Sequence, residues 1–226
     1  MGATRSENGG VKRLRGSFLP LPARGFAFYS FEVCAGRACV RTRSGVPFTS
    51  EILSPESLMS FTIHDACVPP MVRMLSNLSK IIDKAVAQAK AEDIPLSTLL
   101  EARLAPDMHP FPRQIQIASD AAKGAAARLA GVEAPSMPDT ETTIPELQER
   151  ISKTIAFLKS VPADKFAGAE DREIVLKFPN GEFRFTGRDF LTNFALPNFF
   201  FHVTTAYGLL RSKGITIGKM DFLGGA

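Results

Sequence analysis

Residues 196–211, LPNFFFHVTTAYGLLR, gather Asn198, His202, Thr205 and Tyr207 on an otherwise apolar stretch. On a helix, Asn198, His202 and Thr205 share one face at steps of four and three, with Tyr207 about 140° around from His202. Polar groups on so apolar a helix need partners. If they converge on a cavity between helices, the usual ligand position in a bundle, His202 becomes a general base or acid. Tyr207 would then orient a carbonyl or phenol. The competing reading is a histidine hydrogen-bonded within the core, the commoner fate of a lone histidine on an apolar helix. Asn77, Gln114 and Asp120 are further candidates for the same pocket. Asn77 interrupts an apolar run between Leu75 and Leu78 and reads first as a surface residue, and Gln114 and Asp120 read equally well as solvent-facing.

Metal chemistry is tested by the histidines, of which there are three: His64, His109 and His202. Imidazoles four apart on a helix would suit one ion. The positions four before and four after His202 are Asn198 and Ala206. His64 precedes the first helical pattern and His109 the second. In an up-and-down bundle those two helices begin at opposite ends, which disfavours a three-histidine site. A mixed site of His202 with Asn198, Asp120 or Gln114 is left open, although neutral amides are poor zinc ligands. Cys34, Cys39 and Cys67 lack paired zinc spacing and are too few for a disulfide scaffold, which points to a reducing compartment. Cys67, near a helix start, reads as a small buried apolar residue.

The elements that must carry these residues follow from periodicity. Val68, Met71, Val72, Leu75, Leu78, Ile82, Ala85, Val86 and Ala89 mark a first helix from about Val68 to Ala91, with Asp65 as cap and Pro69 and Pro70 in its first turn. A short helical piece around Ser97–Leu104 leads into the proline loop APDMHPFP. A second long helix runs from about Arg113 to Ala130 and stops at Gly131; a third opens at Pro145 and runs to about Ser160. REIVLKFPNGEFRFTG reads as a hairpin turning at Asn180 and Gly181, with Ile174, Leu176, Phe178, Phe183 and Phe185 on one face. Thr186 and Asp189 form a capping box, Pro197 interrupts or restarts the helix, and the last helix ends before Gly214. Phe199, Phe200 and Phe201 span about 200° of helix, so at least one must leave its own core, toward a partner or the hairpin.

The 226 residues, 45% hydrophobic, suffice for one sizeable core. The net charge of +4 sits wholly in residues 1–58, which hold one Lys, seven Arg and four Glu; the rest has 19 basic and 19 acidic residues. The body therefore lacks the basic stripe that nucleic-acid binding requires. No stretch is apolar enough for a membrane span. Residues 1–58 show no sustained period and read as a disordered or weakly ordered basic extension: a genuine tail, a mitochondrial transit segment, or an over-long gene model starting properly at Met59. A cytoplasmic location follows unless the transit reading holds. Residues 59–226 form the folded domain.

Four long helices with one hairpin make an all-α bundle, and here the sequence resembles a known family. LLEARLAPDMHPFPRQIQIASDAAK, FPNGEFRFTG and especially FLTNFALPNFFFHVTTAYGLLRSKGITIGKMDFLG are similar to the domain-of-unknown-function family 1993, within the DinB/YfiT-like helical-bundle superfamily. The resemblance covers residues 60–224. It implies a four-helix bundle with the hairpin between the third and fourth helices, a homodimer, and a divalent metal (Zn, Ni or Fe) held by three histidines, two of them four apart on the last helix. His202 is the one position here that matches that pattern. Two readings follow: a ligand-binding bundle, dimeric through its aromatic surface, with an unknown small molecule at His202; or a small thiol-transferase, isomerase or hydrolase using His202 as base or metal ligand.

Overall fold

A computed structural model describes residues 31–34, 37–40, 61–179 and 181–225, and the backbone divides into Met1–Ser54 and Pro55–Ala226. In the first unit, β1 (Phe31–Cys34) pairs antiparallel with β2 (Arg37–Val40), Phe31 opposite Val40 and Cys34 opposite Arg37. Neither FEVC nor RACV alternates strictly between apolar and polar residues, so neither strand is marked by a period of two. The expected extension over residues 1–58, its boundary at Met59 and the Asn180 turn position otherwise lie outside the described residues.

The second unit is an all-α bundle with a two-stranded hairpin. Helix α1 spans Ile63–Ala91, opening with a capping box: Thr62 Oγ1 accepts from the Asp65 amide at 3.1 Å, and the Asp65 carboxylate accepts from the Thr62 amide at 3.1 Å. The helix thus starts before the expected Val68, Thr62 rather than Asp65 is the cap, and His64 lies in its first turn. Pro69 and Pro70 sit inside the helix, not in its first turn. Two intrahelical donors are missing there. Burial of Cys67, Val68, Met71 and Leu75 on the inner stripe holds the helix through the gap.

Helix α2 is shorter than expected (Leu96–Leu100), and α3 (Phe111–Ala130) ends on Gly131 at φ 66°, the left-handed cap that glycine adopts most readily. Helix α4 covers Ile144–Ser160. Strands β3 (Glu173–Phe178) and β4 (Gly181–Thr186) pair antiparallel with Ile174 opposite Phe185 and Leu176 opposite Phe183. Ile174 and Leu176 are buried, while Phe178 and Phe183 remain 45% and 56% exposed. The chain then turns helically without a break, through α5 (Gly187–Asp189), a π-helical stretch (Phe190–Ala195), and α6 (Leu196–Ser212). Pro197 stands in the first turn of α6, where α-helical geometry resumes after the π-helical stretch, so it marks a restart without breaking the chain's helical course. The wide turns before it absorb the ring and its missing donor.

Side-chain contacts fix the helix directions. Gln114 at the start of α3 meets His202 in α6, while Leu129 at its end lies beside Gly187, so α3 and α6 are antiparallel. Gln88 near the end of α1 bonds Gly214 and Thr216 just past α6, so α1 and α6 run in parallel. Gln148 early in α4 meets Ser79 and Asp83, whereas Phe166, beyond its end, packs on His64, so α4 opposes α1 and parallels α3. The order is up, down, down, up. Parallel α3 and α4 require the 131–143 crossover to return along the bundle.

Arg150 holds that crossover. Its side chain is 1% exposed and reaches Asp120 (2.9 Å), Asp139 (2.9 Å) and Glu141 (2.9 Å), and it donates to the Pro138 carbonyl at 3.2 Å. A buried guanidinium is tolerable only with such compensation. At the other side, α7 (Lys219–Leu223) folds back on α1: Arg73 and Asn77 donate to the carbonyls of Leu223 (2.7 Å) and Phe222 (3.0 Å).

Candidate functional site

Packing of α3 against α6 joins Gln114 and His202 at 2.7 Å, between Gln114 Oε1 and His202 Nδ1. Gln114 is 2% exposed, and its Nε2 donates to the His109 carbonyl at 3.0 Å. A backbone carbonyl only accepts, so the amide nitrogen must face His109 and the amide oxygen must face the imidazole. Nδ1 therefore carries the proton. In the neutral ring Nε2 is then the basic nitrogen, and among the described residues nothing hydrogen-bonds to it. Burial, followed by the charges of His109 and Arg113, holds the His202 pKa below its ordinary 6.5. Phe201, 56% exposed, stands edge-on to the ring at 5.1 Å. The outcome is a partly buried, orientation-fixed, neutral imidazole, chemically a hydrogen-bond acceptor or proton acceptor.

The other sequence candidates are dispersed. Asn198 is partly buried one turn before His202. Thr205 is 7% exposed and spends its hydroxyl on the Phe201 carbonyl at 2.7 Å. Tyr207 turns away, toward the Ile217 carbonyl (3.5 Å) and Phe222, whose ring centre is 5.7 Å off. Asn77, expected first at the surface, is 4% exposed because it binds the end of α7. Asp120 belongs to the opposite face of α3, between Arg150 and Lys123 (3.0 Å). The Cys67 thiol is fully buried and pushed up to about 12 by that burial, so it stays protonated.

The three-histidine metal set does not fit these residues. His64 packs edge-on against Phe166 at 5.2 Å, at the end of the bundle opposite His109, and Ala206 is buried where a second helical histidine would stand. Among the described residues no group of three or more His, Cys, Asp or Glu side chains is placed to hold a metal ion. Clefts lie elsewhere. One, about 760 Å³, runs between the crossover and α4 beside Met137, Pro138 and Phe157; another, about 570 Å³, lies beside Phe61, Phe166 and Arg188; a third, about 400 Å³, lies beside Lys123 and Arg128.

This helical bundle with a hairpin before its last helix is of the DinB-like class, as its likeness to a solved DinB family member shows. The chain belongs to the family described as Domain of unknown function (DUF1993), whose model matches residues 63–223. It is similar to the crystal structure of a DinB family member protein from Shewanella denitrificans, at 41% identity and a TM-score of 0.67 over 72% of this chain and 92% of that one. No curated protein matches it. No helix among the described residues is long and apolar enough to cross a membrane.

Sequence reasoning missed Arg150, Lys123 and Arg128. Arg150 looks like an ordinary charged residue on an amphipathic helix. The one available signal was Gly124, an isolated glycine in the alanine-rich interior of α3, where it costs about 1 kcal/mol relative to alanine and calls for a packing reason.

Proposed function

We propose that this DinB-like protein binds a small molecule carrying an O–H, S–H or N–H donor at the corner between the start of α3 and the middle of α6, with His202 Nε2 as the accepting atom. One observation carries the reading: the 2.7 Å contact from Gln114, itself fixed by the His109 carbonyl, which selects the tautomer with a free Nε2. Arg113 is engaged by Asp139 and acts on the corner only through its charge; the accepting Nε2 suits a general-base step on a weakly acidic donor. Gln114 is the positioning residue. The test is an NMR-detected screen of the full chain with small phenols, thiols, alcohols and amides, followed at the His202 Nε2 resonance. Binders should shift that resonance, lose affinity completely in His202→Ala, and lose about five- to tenfold in Gln114→Ala, the worth of about one hydrogen bond. Binders that leave His202 unmoved, or bind His202→Ala equally, sink the reading.

A second reading, compatible with the first, is assembly as a homodimer through aromatic surface. Phe178, Phe183, Phe185, Phe190 and Phe194 form one ring cluster with centroid separations of 5.7 to 6.4 Å, and Phe178 and Phe183 open it to solvent. Phe201 adds exposed area about two turns further along. Exposed aromatic surface of this kind marks interaction sites.

A further inference from the structure

The cleft of about 400 Å³ on the far side of α3 is lined by Asp120, Lys123, Gly124, Ala127, Arg128, Val132 and Ala134. Two cations face it against one carboxylate. Lys123 is only 7% exposed, and its Nζ has one acidic partner, Asp120, at 3.0 Å. That carboxylate is shared, because Asp120 also receives Arg150 Nη2 at 2.9 Å. Asp139, on the same Nη2, and Glu141, on Nη1, also neutralise Arg150, and neither lines the cleft. Arg128 forms no ion pair among the described residues, and Glu133 lies outside ion-pair distance of both cations. Gly124 sets the geometry: a Cβ there would collide with Arg128 Nη1, so the missing side chain lets the guanidinium lie flat along the helix and into the cleft.

The plain alternative is that these cations complement the negative end of α3. Three of the last four carbonyls there are already taken: Ala127 by the amide of Val132, Arg128 by that of Gly131, and Leu129 by Arg172. Complementing the dipole would also need neither a buried lysine nor a glycine under the arginine. A buried ammonium with spare donors beside an unpaired planar guanidinium is the chemistry that receives an oxyanion.

The geometry points to an oxyanion-binding site here, taking the phosphate or carboxylate group of a small molecule between Lys123 Nζ and the Arg128 guanidinium. It is separate from the His202 corner and does not depend on it. The test is titration of the full chain with inorganic phosphate at constant ionic strength, reading the Gly124 amide and Arg128 Nε–H resonances by NMR. The expected result is saturation in the millimolar range, weakened at least fivefold in Arg128→Gln and several-fold in Gly124→Ala. Because alanine is the better helix former and the colliding guanidinium can swing away, Gly124→Ala should keep or raise the thermal midpoint, which separates lost binding from lost folding. Acetate in the same assay distinguishes a general oxyanion site, saturating with both ions, from one that takes phosphate alone. Shifts that stay linear in phosphate, or an affinity in either variant equal to that of the unaltered chain, overturn the assignment.

Discussion

His202 keeps its Nδ1 proton in either charge state, so protonation must occur at Nε2, the atom left free by Gln114. Burial and the charges of His109 and Arg113 oppose that second proton, and the folded pKa lies below the ordinary 6.5. The unfolded chain therefore binds more protons than the folded one between the folded pKa and about 6.5. This contribution to stability is complete above pH 6.5 and is lost as pH falls from 6.5 through the folded pKa. Urea unfolding across pH 7.5 to 5 should show a smaller acid loss in His202→Gln than in the unaltered chain; equal slopes would contradict the assignment. Both partners of this contact were legible as polar residues on helices. Their pairing was not, because which turn of α3 meets which turn of α6 is set by helix register rather than by spacing along either helix. Tyr207 and Thr205 show the same limit: the sequence puts them near His202, whereas their hydrogen bonds go to Ile217 and Phe201.

The crossover and α4 behave as one element because Arg150 ties them. Removing the buried guanidinium takes their common cation from Asp120, Asp139 and Glu141, but Asp120 and Asp139 are partly exposed and keep Lys123 and Arg113 beside them, so the lost charge-assisted hydrogen bonds cost about 1–3 kcal/mol. Arg150→Ala should lose about that much in chemical denaturation, and a loss under about 1 kcal/mol would show that solvent screens the cluster. Helix ends marked by local chemistry were readable, as Gly131 and Pro145 show. Ends marked by competing signals were not: the Thr62 and Asp65 box opens α1 ahead of two prolines that argue for a later start. Likewise a single proline at 197 gives no hint of the π-helical turns that carry the chain past it.

At the scale of the whole molecule, four helices and a hairpin were evident from periodicity, but the parallel placing of α3 and α4 was not, since a 13-residue connection reads only as a loop. The dimer reading is also tested at this scale. In sedimentation the full chain should appear at twice its 24.5 kDa mass, and Phe183→Ser with Phe201→Ser should raise the dissociation constant at least tenfold with helical content unchanged. A monomer in the unaltered chain would remove the reading. The parallel pairing has an electrostatic consequence of its own. In an alternating bundle each peptide macrodipole is opposed by both neighbours, whereas here α3 and α4 align theirs and α1 and α6 align theirs in the other sense. The bundle is thus two oppositely polarised sheets of helix, and each of its ends is split between a positive half and a negative half.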